Sequence, residues 1–408
     1  MLKRRQFLTG ATAVVGSYIL TACGGGTDSG AASPEALANA AQRPSPDGTT
    51  IPPASSIIDA SGNTWTVKNG VIYKGSAKAG FSQNVTLLLL YGGNIYQSAY
   101  GSWWVWSGST WNTSSDPRVA SSTGPAIGVH CEGDNDVSLY AAFSAWLGKP
   151  DLYRLTFTAR DSWSDVATPY FLSATQTWIA QPGRYEVMSV PLLLGSDTFA
   201  SIAGGAQDAT WQALANNIKS IGNPAQVIIR LGWEHNGNWY AWNSRSDPNG
   251  YAAAFAHVAQ LMKAIAPGLR FDWCTDFQAY DTFNWQTAYP GDASVDIVSM
   301  DVYDEWNPNG WSDITSGAAN ITQLRAFAAA HGKKEAYPEW SCSIDASGHG
   351  DNPTFITNMY NWLMAGGSNV LYHSYWNTNL GGPNAAIQGP LSGNVPLAAT
   401  QYKALFSR

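Results

Sequence analysis

The sequence predicts an α/β chain folded as a (β/α)8 TIM barrel behind a small N-terminal all-β domain. Three observations predict it. From residue 119 to 408, apolar runs alternate with helical segments, with strands expected near 126–131, 154–160, 185–193, 226–234, 270–276, 295–303, 334–340 and 369–376. Several of these runs are nearly continuous, the pattern of parallel strands covered on both faces. Eight such strands with helices between them match a closed parallel barrel. Between 55 and 118 the pattern is different, with short strands broken by turn signals.

Met1–Cys23 reads as a targeting segment outside the fold. Lys3-Arg4-Arg5-Gln6-Phe7-Leu8 resembles a twin-arginine export signal, and Leu20-Thr21-Ala22-Cys23 resembles a bacterial lipobox with Cys23 as the acylated residue. The apolar run between them is shorter than the roughly 20 residues a spanning helix needs. The expectation is an exported protein, lipid-anchored in the bacterial cell envelope and touching the membrane only through that anchor. Residues 24–54, rich in Gly, Ser, Ala, Thr and Pro, read as a flexible linker.

In the 55–118 domain, Asp59-Ala60-Ser61-Gly62-Asn63, Asn69-Gly70 and Gly92-Gly93-Asn94 mark turns between short strands. Trp103-Trp104-Val105-Trp106 and Trp111 have two readings, as a glycan-stacking face or as this domain's core. Within 119–408, Asp247-Pro248 caps and opens a helix with Tyr251, Phe255, Val258, Met262 and Ile265 on one face, and Pro267-Gly268 stops it.

Composition narrows the function classes. Only 12% of residues are charged and 12% are aromatic, with 19 Trp, and the net charge is −7. No basic patch follows the N-terminus, which argues against nucleic acid. Cys131, Cys274 and Cys342 show no zinc spacing and are expected as buried thiols. Glu132-Gly133-Asp134-Asn135-Asp136 is acidic but lacks the spacing of the standard calcium loop, so neither a metal nor a cofactor is expected.

The chemistry-bearing stretch is Arg230-Leu231-Gly232-Trp233-Glu234-His235-Asn236-Gly237-Asn238-Trp239, at the end of the fourth strand. Strand alternation would put Arg230, Gly232 and Glu234 on one face and Ile229, Leu231 and Trp233 on the other. A second carboxylate, Glu339, lies in Ala336-Tyr337-Pro338-Glu339-Trp340 on the seventh strand. On the sixth strand the same alternation turns Asp301 and Tyr303 inward and Val298, Met300 and Val302 outward. Arg160 and Asp161 end the second strand, one of them inward. A buried Arg needs carboxylate partners, so an ion-pair network among these groups is expected. Two carboxylates astride a glycosidic bond divide the labour, one as proton donor and one as nucleophile.

The Arg230–Trp242 stretch resembles the acid/base segment of glycoside hydrolase family 26, the retaining β-mannanases and their relatives in a clan of (β/α)8 hydrolases. Glu234, Asn236, Gly237, Trp239 and Trp242 align with that segment, and Glu339 matches the clan's strand-seven nucleophile. The resemblance implies Tyr303 as hydrogen-bond partner of the nucleophile and Trp376 as the platform under the bound sugar. It covers roughly residues 120–400. The sequence departs from the family at Trp233, where a His is usual, and at Trp340, where small residues are usual.

The expectation is a retaining, endo-acting hydrolase of a β-linked polysaccharide, mannan-like or a bacterial exopolysaccharide. Glu234 is the acid/base and Glu339 the nucleophile. Arg230, Asn236, Trp239, Trp242, Asp301, Tyr303, Trp376, Asp161, Asp276 and Trp306 are expected to bind substrate. Its partner is the polysaccharide or oligosaccharide, and the protein is expected to be a monomer. The alternative is a non-catalytic glycan-binding envelope lipoprotein on a barrel scaffold, which would bind glycan without releasing reducing ends.

Overall fold

The computed structural model describes residues 44–46, 48–114, 116–117, 124–379 and 382–407. The export and lipidation signals, Cys23 and most of the linker lie outside the described residues. No helix among the described residues is long and apolar enough to cross a membrane. The protein has two compact units.

The N-terminal unit holds a five-stranded antiparallel sheet (Thr50–Ile51, Val85–Tyr91, Asn94–Ala99, Ser102–Trp106, Trp111–Ser114). A four-stranded sheet runs Ile57–Ile58, Thr64–Lys68, Val71–Lys74 and Ala77–Lys78. The first strand of the five-stranded sheet, Thr50–Ile51, lies within the 24–54 stretch read as linker. Thr50 and Ile51 pair with Leu89 and Leu88, and Ile51 is buried in the unit's core, so the ordered chain starts earlier than composition suggested. Trp106 and Trp111 pack edge-on against each other at 5.1 Å and against Trp65 at 5.6 and 6.4 Å. Of the two readings of the tryptophans, these two rings belong to the core; Trp103 and Trp104 are half-buried.

The second unit is a closed parallel barrel. Its strands are β1 (Ala126–Cys131), β2 (Tyr153–Phe157), β3 (Tyr185–Val190), β4 (Val227–Leu231), β5 (Arg270–Asp276), β6 (Ile297–Asp304), β7 (Lys334–Cys342) and β8 (Val370–Asn377). They pair in chain order, and β8 closes on β1 from Ala126↔Tyr372 to Cys131↔Asn377. Outward side chains such as Val190, Ile229, Leu231, Val298, Met300 and Val302 are fully buried under the helices. Inward, Tyr153, Leu155, Val187, Ile228, Ile297, Ala336 and Tyr372 fill the barrel floor, with Tyr153 stacked on Tyr372 at 4.5 Å. The interior is therefore packed below, and chemistry is confined to the C-terminal mouth.

The helix at Pro248–Ile265 follows its sequence signals: the Asp247 side chain accepts from the Gly250 N–H, and Pro248 occupies the first turn. The β5–β6 connection carries only a 3-10 turn, Trp285–Ala288. Trp285 covers that flank, with Trp273 at 5.4 Å and Phe327 at 5.3 Å. Cys131, Cys274 and Cys342 are buried free thiols, as expected.

Candidate active site

β4 sets the site. Ile228 and Arg230 face inward, and Ile229 and Leu231 face the helices. Alternation then stops. Gly232 has φ +54°, a conformation that suits glycine, and a Cβ there would stand 3.0 Å from the Leu192 Cβ. Glu234 also has positive φ, +52°, three residues beyond the strand. Trp233 still joins the buried cluster of Ile229 and Leu231, as alternation would have it, although the backbone there is no longer a strand. The Trp233 ring lies 5.5 Å from Phe157 and 5.7 Å from the Arg230 guanidinium, and the turn, not strand parity, presents Glu234.

Arg230 is fully buried. Its Nη1 donates to Glu339 Oε1 at 2.8 Å and to Ser189 Oγ at 3.0 Å, while Nη2 donates to Asp301 Oδ2 and to Cys274 Sγ. Burial works against the guanidinium charge, yet Asp301, then Cys274, Glu339 and Glu234, hold its pKa well above the ordinary value. The expected internal ion network thus comprises Arg230, Asp301 and Glu339. Arg160 and Asp161 are not in it: β2 ends at Phe157, and both residues are exposed in the following loop.

Glu339 reaches the interior by an irregularity. Against β6, Ser299 and Val302 pair with Ala336 and Trp340; against β8, Tyr337 and Trp340 pair with His373 and Tyr375. β7 therefore carries one extra residue between Tyr337 and Trp340, a bulge that re-aims the following side chain. Ala336 faces in and Tyr337 out, yet Glu339 faces in and Trp340 packs outward on Phe355 and Tyr402. On β6, Asp301 and Tyr303 are inward as the alternation predicts, and the Tyr303 hydroxyl donates to Glu339 Oε2.

One carboxylate oxygen from each of Glu234, Asp301 and Glu339 lies within 4.8 Å of the others. Such a trio could hold a cation, but Asp301 and Glu339 already accept from Arg230, which supplies positive charge at the same place. The Glu132–Asp136 loop is tied into the protein. Asp134 Oδ2 accepts from the Phe157 N–H and the Tyr170 hydroxyl at 3.1 Å each, and Asp136 caps the helix Val137–Leu147.

The other expected site residues divide into two groups. Trp376 lies in the mouth, stacked on His130 at 4.3 Å and edge-on to Phe157 and Tyr303 at 5.8 and 6.3 Å. Trp239 donates its indole N–H to Glu234 Oε2 at 2.7 Å. Asp276, at the end of β5, is buried and accepts from Gln278. Trp306, after β6, is 53% exposed beside the 346–349 loop. Asn236 was expected on substrate, but it is buried, its Nδ2 donating to the Asp276 carbonyl and its Oδ1 accepting the Asp276 N–H, both at 2.7 Å. It pins the β4 loop to β5. Trp242 is buried, stacked on Tyr240 at 4.4 Å with its N–H on the Trp233 carbonyl, so it packs the loop from behind.

Sequence reasoning missed several groups. Arg154 and Glu186 form a buried pair at 2.7 Å on the helix side of β2 and β3, with Thr175 and Thr156 as further partners. Asp272 lies inside β5, accepts from the Tyr372 hydroxyl at 3.2 Å, and is pushed up to about 6, chiefly by burial. His235 is sandwiched between Tyr251 and Trp273 at 4.9 Å each, bonded to Ser244, and burial pushes it down to about 3. It is a neutral packing residue.

Comparison with known proteins finds likeness in the same part of the chain. Residues 198–353 match glycosyl hydrolase family 26. Endoglucanase H of Acetivibrio thermocellus is 30% identical over 118 residues; the match spans 27% of this chain and only 13% of that protein's length. Among solved structures, GH26C from Muricauda sp. aligns with TM-score 0.52 and 18% identity over 72% of this chain and 87% of that one. A modular endo-β-1,4-mannanase from Cellulomonas fimi aligns with TM-score 0.51 and 18% identity over 69% and 70%. At these identities the structural likeness is one of fold. The family match covers under half of the chain, from before β4 to the start of the helix after β7, and this segment, which carries Glu234, Asp301, Tyr303 and Glu339, is similar to glycosyl hydrolase family 26.

Proposed function

We propose that this protein is a retaining, endo-acting hydrolase of a β-linked polysaccharide, with Glu339 as nucleophile and Glu234 as acid/base. The observation that carries the proposal is the approach of the Glu234 and Glu339 carboxylate oxygens to within 4.8 Å at the barrel mouth. So short an approach favours retention, which goes with carboxyl groups about 5–5.5 Å apart, over inversion, which needs about 6.5–9.5 Å for an intervening water.

In the first step Glu339 attacks the anomeric carbon. The bond to the leaving oxygen breaks as Glu234 gives that oxygen its proton. In the second step Glu234 takes a proton from water, the water oxygen bonds to the anomeric carbon, and the Glu339 ester is released. Arg230 and Tyr303 favour the charged form of Glu339, the form that attacks. Trp239 fixes the direction of Glu234. The family 26 match, and a fold neighbour that is an endo-β-1,4-mannanase, support a mannan-like β-linked backbone.

The test is a pair of variants. Glu339→Gln is expected to lose hydrolysis of polymer and of activated aryl glycosides alike. Glu234→Gln is expected to lose polymer hydrolysis but still release an activated phenol, a leaving group that needs no proton. Polymer hydrolysis at wild-type rate by both variants would refute the proposal.

A further inference from the structure

Arg154, Arg230, Arg245 and Arg325 each close on a carboxylate. Arg160 does not. Among the described residues it holds no carboxylate, it is exposed in the loop after β2, and its guanidinium stands over the rings of Tyr240 at 5.5 Å and Trp233 at 6.0 Å. Trp233 directly precedes Glu234. Its ring meets Phe157 at 5.5 Å, and Phe157 meets Trp376 at 5.8 Å. A row of rings, Trp376, Phe157, Trp233 and Tyr240, therefore crosses the mouth, with a guanidinium at its far end that holds no carboxylate among the described residues.

A guanidinium resting on rings keeps its in-plane N–H fork available, and that fork matches a carboxylate. Neutral sugars offer hydroxyls, which amides and hydroxyls satisfy without a full positive charge. The chain's net charge of −7 opposes a polyanion at long range. That repulsion is largely screened beyond about 8 Å at physiological salt, whereas a contact pair is not.

We propose that Arg160 receives a carboxylate carried by the polysaccharide, so that the preferred substrate is an acidic β-glycan with a charged sugar near the cleaved bond. This rests on the hydrolase reading above. The test uses the full chain on β-glycans bearing glucuronate, mannuronate or pyruvate ketals. Each is assayed beside its carboxyl-reduced counterpart, with β-1,4-mannan and β-glucan as neutral polymers. At least one acidic glycan is expected to show kcat/KM about tenfold or more above its reduced form, the size of one charge-assisted contact. That ratio should fall with added salt. Arg160→Gln should bring it near one through KM, and Arg160→Lys should restore part of it. A ratio near one in the wild type, or one untouched by Arg160→Gln, overturns the inference and leaves the hydrolase reading standing. No cleavage of any glycan, acidic or neutral, overturns the hydrolase reading itself.

Discussion

Arg230 and Glu339 are joined at 2.8 Å with neither side chain exposed, while the other guanidinium nitrogen holds Asp301. One planar fork thus sets the position of two carboxylates from two neighbouring strands. Lysine offers a single ammonium and cannot keep both contacts in the same geometry. Arg230→Lys is expected to lower kcat/KM by about a hundredfold or more, and Arg230→Met to destabilise the barrel by about 3–5 kcal/mol by stranding buried charge. Steady-state kinetics and urea unfolding check the two.

The Tyr303 hydroxyl donates to Glu339, and the Tyr303 ring packs edge-on to Trp376. Tyr303→Phe should therefore keep the melting temperature within a few degrees while kcat falls about tenfold to a hundredfold, the worth of one hydrogen bond to a charged group.

Gly237 is required by a close approach: a Cβ there would stand 2.4 Å from the Trp239 ring. Gly237→Ala should displace the indole that holds Glu234 and lower polymer turnover about as much as Trp239→Phe, which keeps a ring but loses the N–H. The two losses should not add in the double variant, because one contact is removed by either route.

His373 is fully buried, its Nδ1 accepts the Trp340 indole N–H, and burial pushes its pKa down to about 3. The folded state keeps this ring neutral while the unfolded chain protonates it near 6.5. Its contribution to stability is whole above pH 6.5 and declines as pH falls from there toward 3. His373→Asn preserves an acceptor and cannot titrate. Between pH 7 and pH 5 the wild type should lose about 2 kcal/mol relative to this variant, read from urea midpoints at each pH.

The strands of the barrel were legible because each is an apolar run bounded by turn residues, and parallel strands buried on both faces leave that signature. Asp301 and Tyr303 were legible because β6 is regular. Where the backbone departs from extended geometry, the pattern misleads. Glu234 follows a left-handed glycine and is itself left-handed, so counting by twos beyond Leu231 does not account for how it is presented. Glu339 would face out on an ideal strand, and only the bulge after Tyr337 turns it inward. Pro338 was an available signal, since proline within a strand often marks such a site.

The roles of amides and indoles were less legible. Asn236 and Trp242 have the residue types of a sugar site, but their partners are backbone groups about forty and nine positions away, which local sequence does not reveal. The same holds for Arg154 and Glu186, which sit on β2 and β3 among apolar neighbours and find each other only across the sheet.

The most direct test of the central claim, that two carboxylates stand close enough for double displacement, is the anomeric form of the first product. Proton NMR during hydrolysis of a β-linked oligosaccharide should show the β anomer first, with the α anomer growing in later by mutarotation. Initial release of the α anomer would contradict the account.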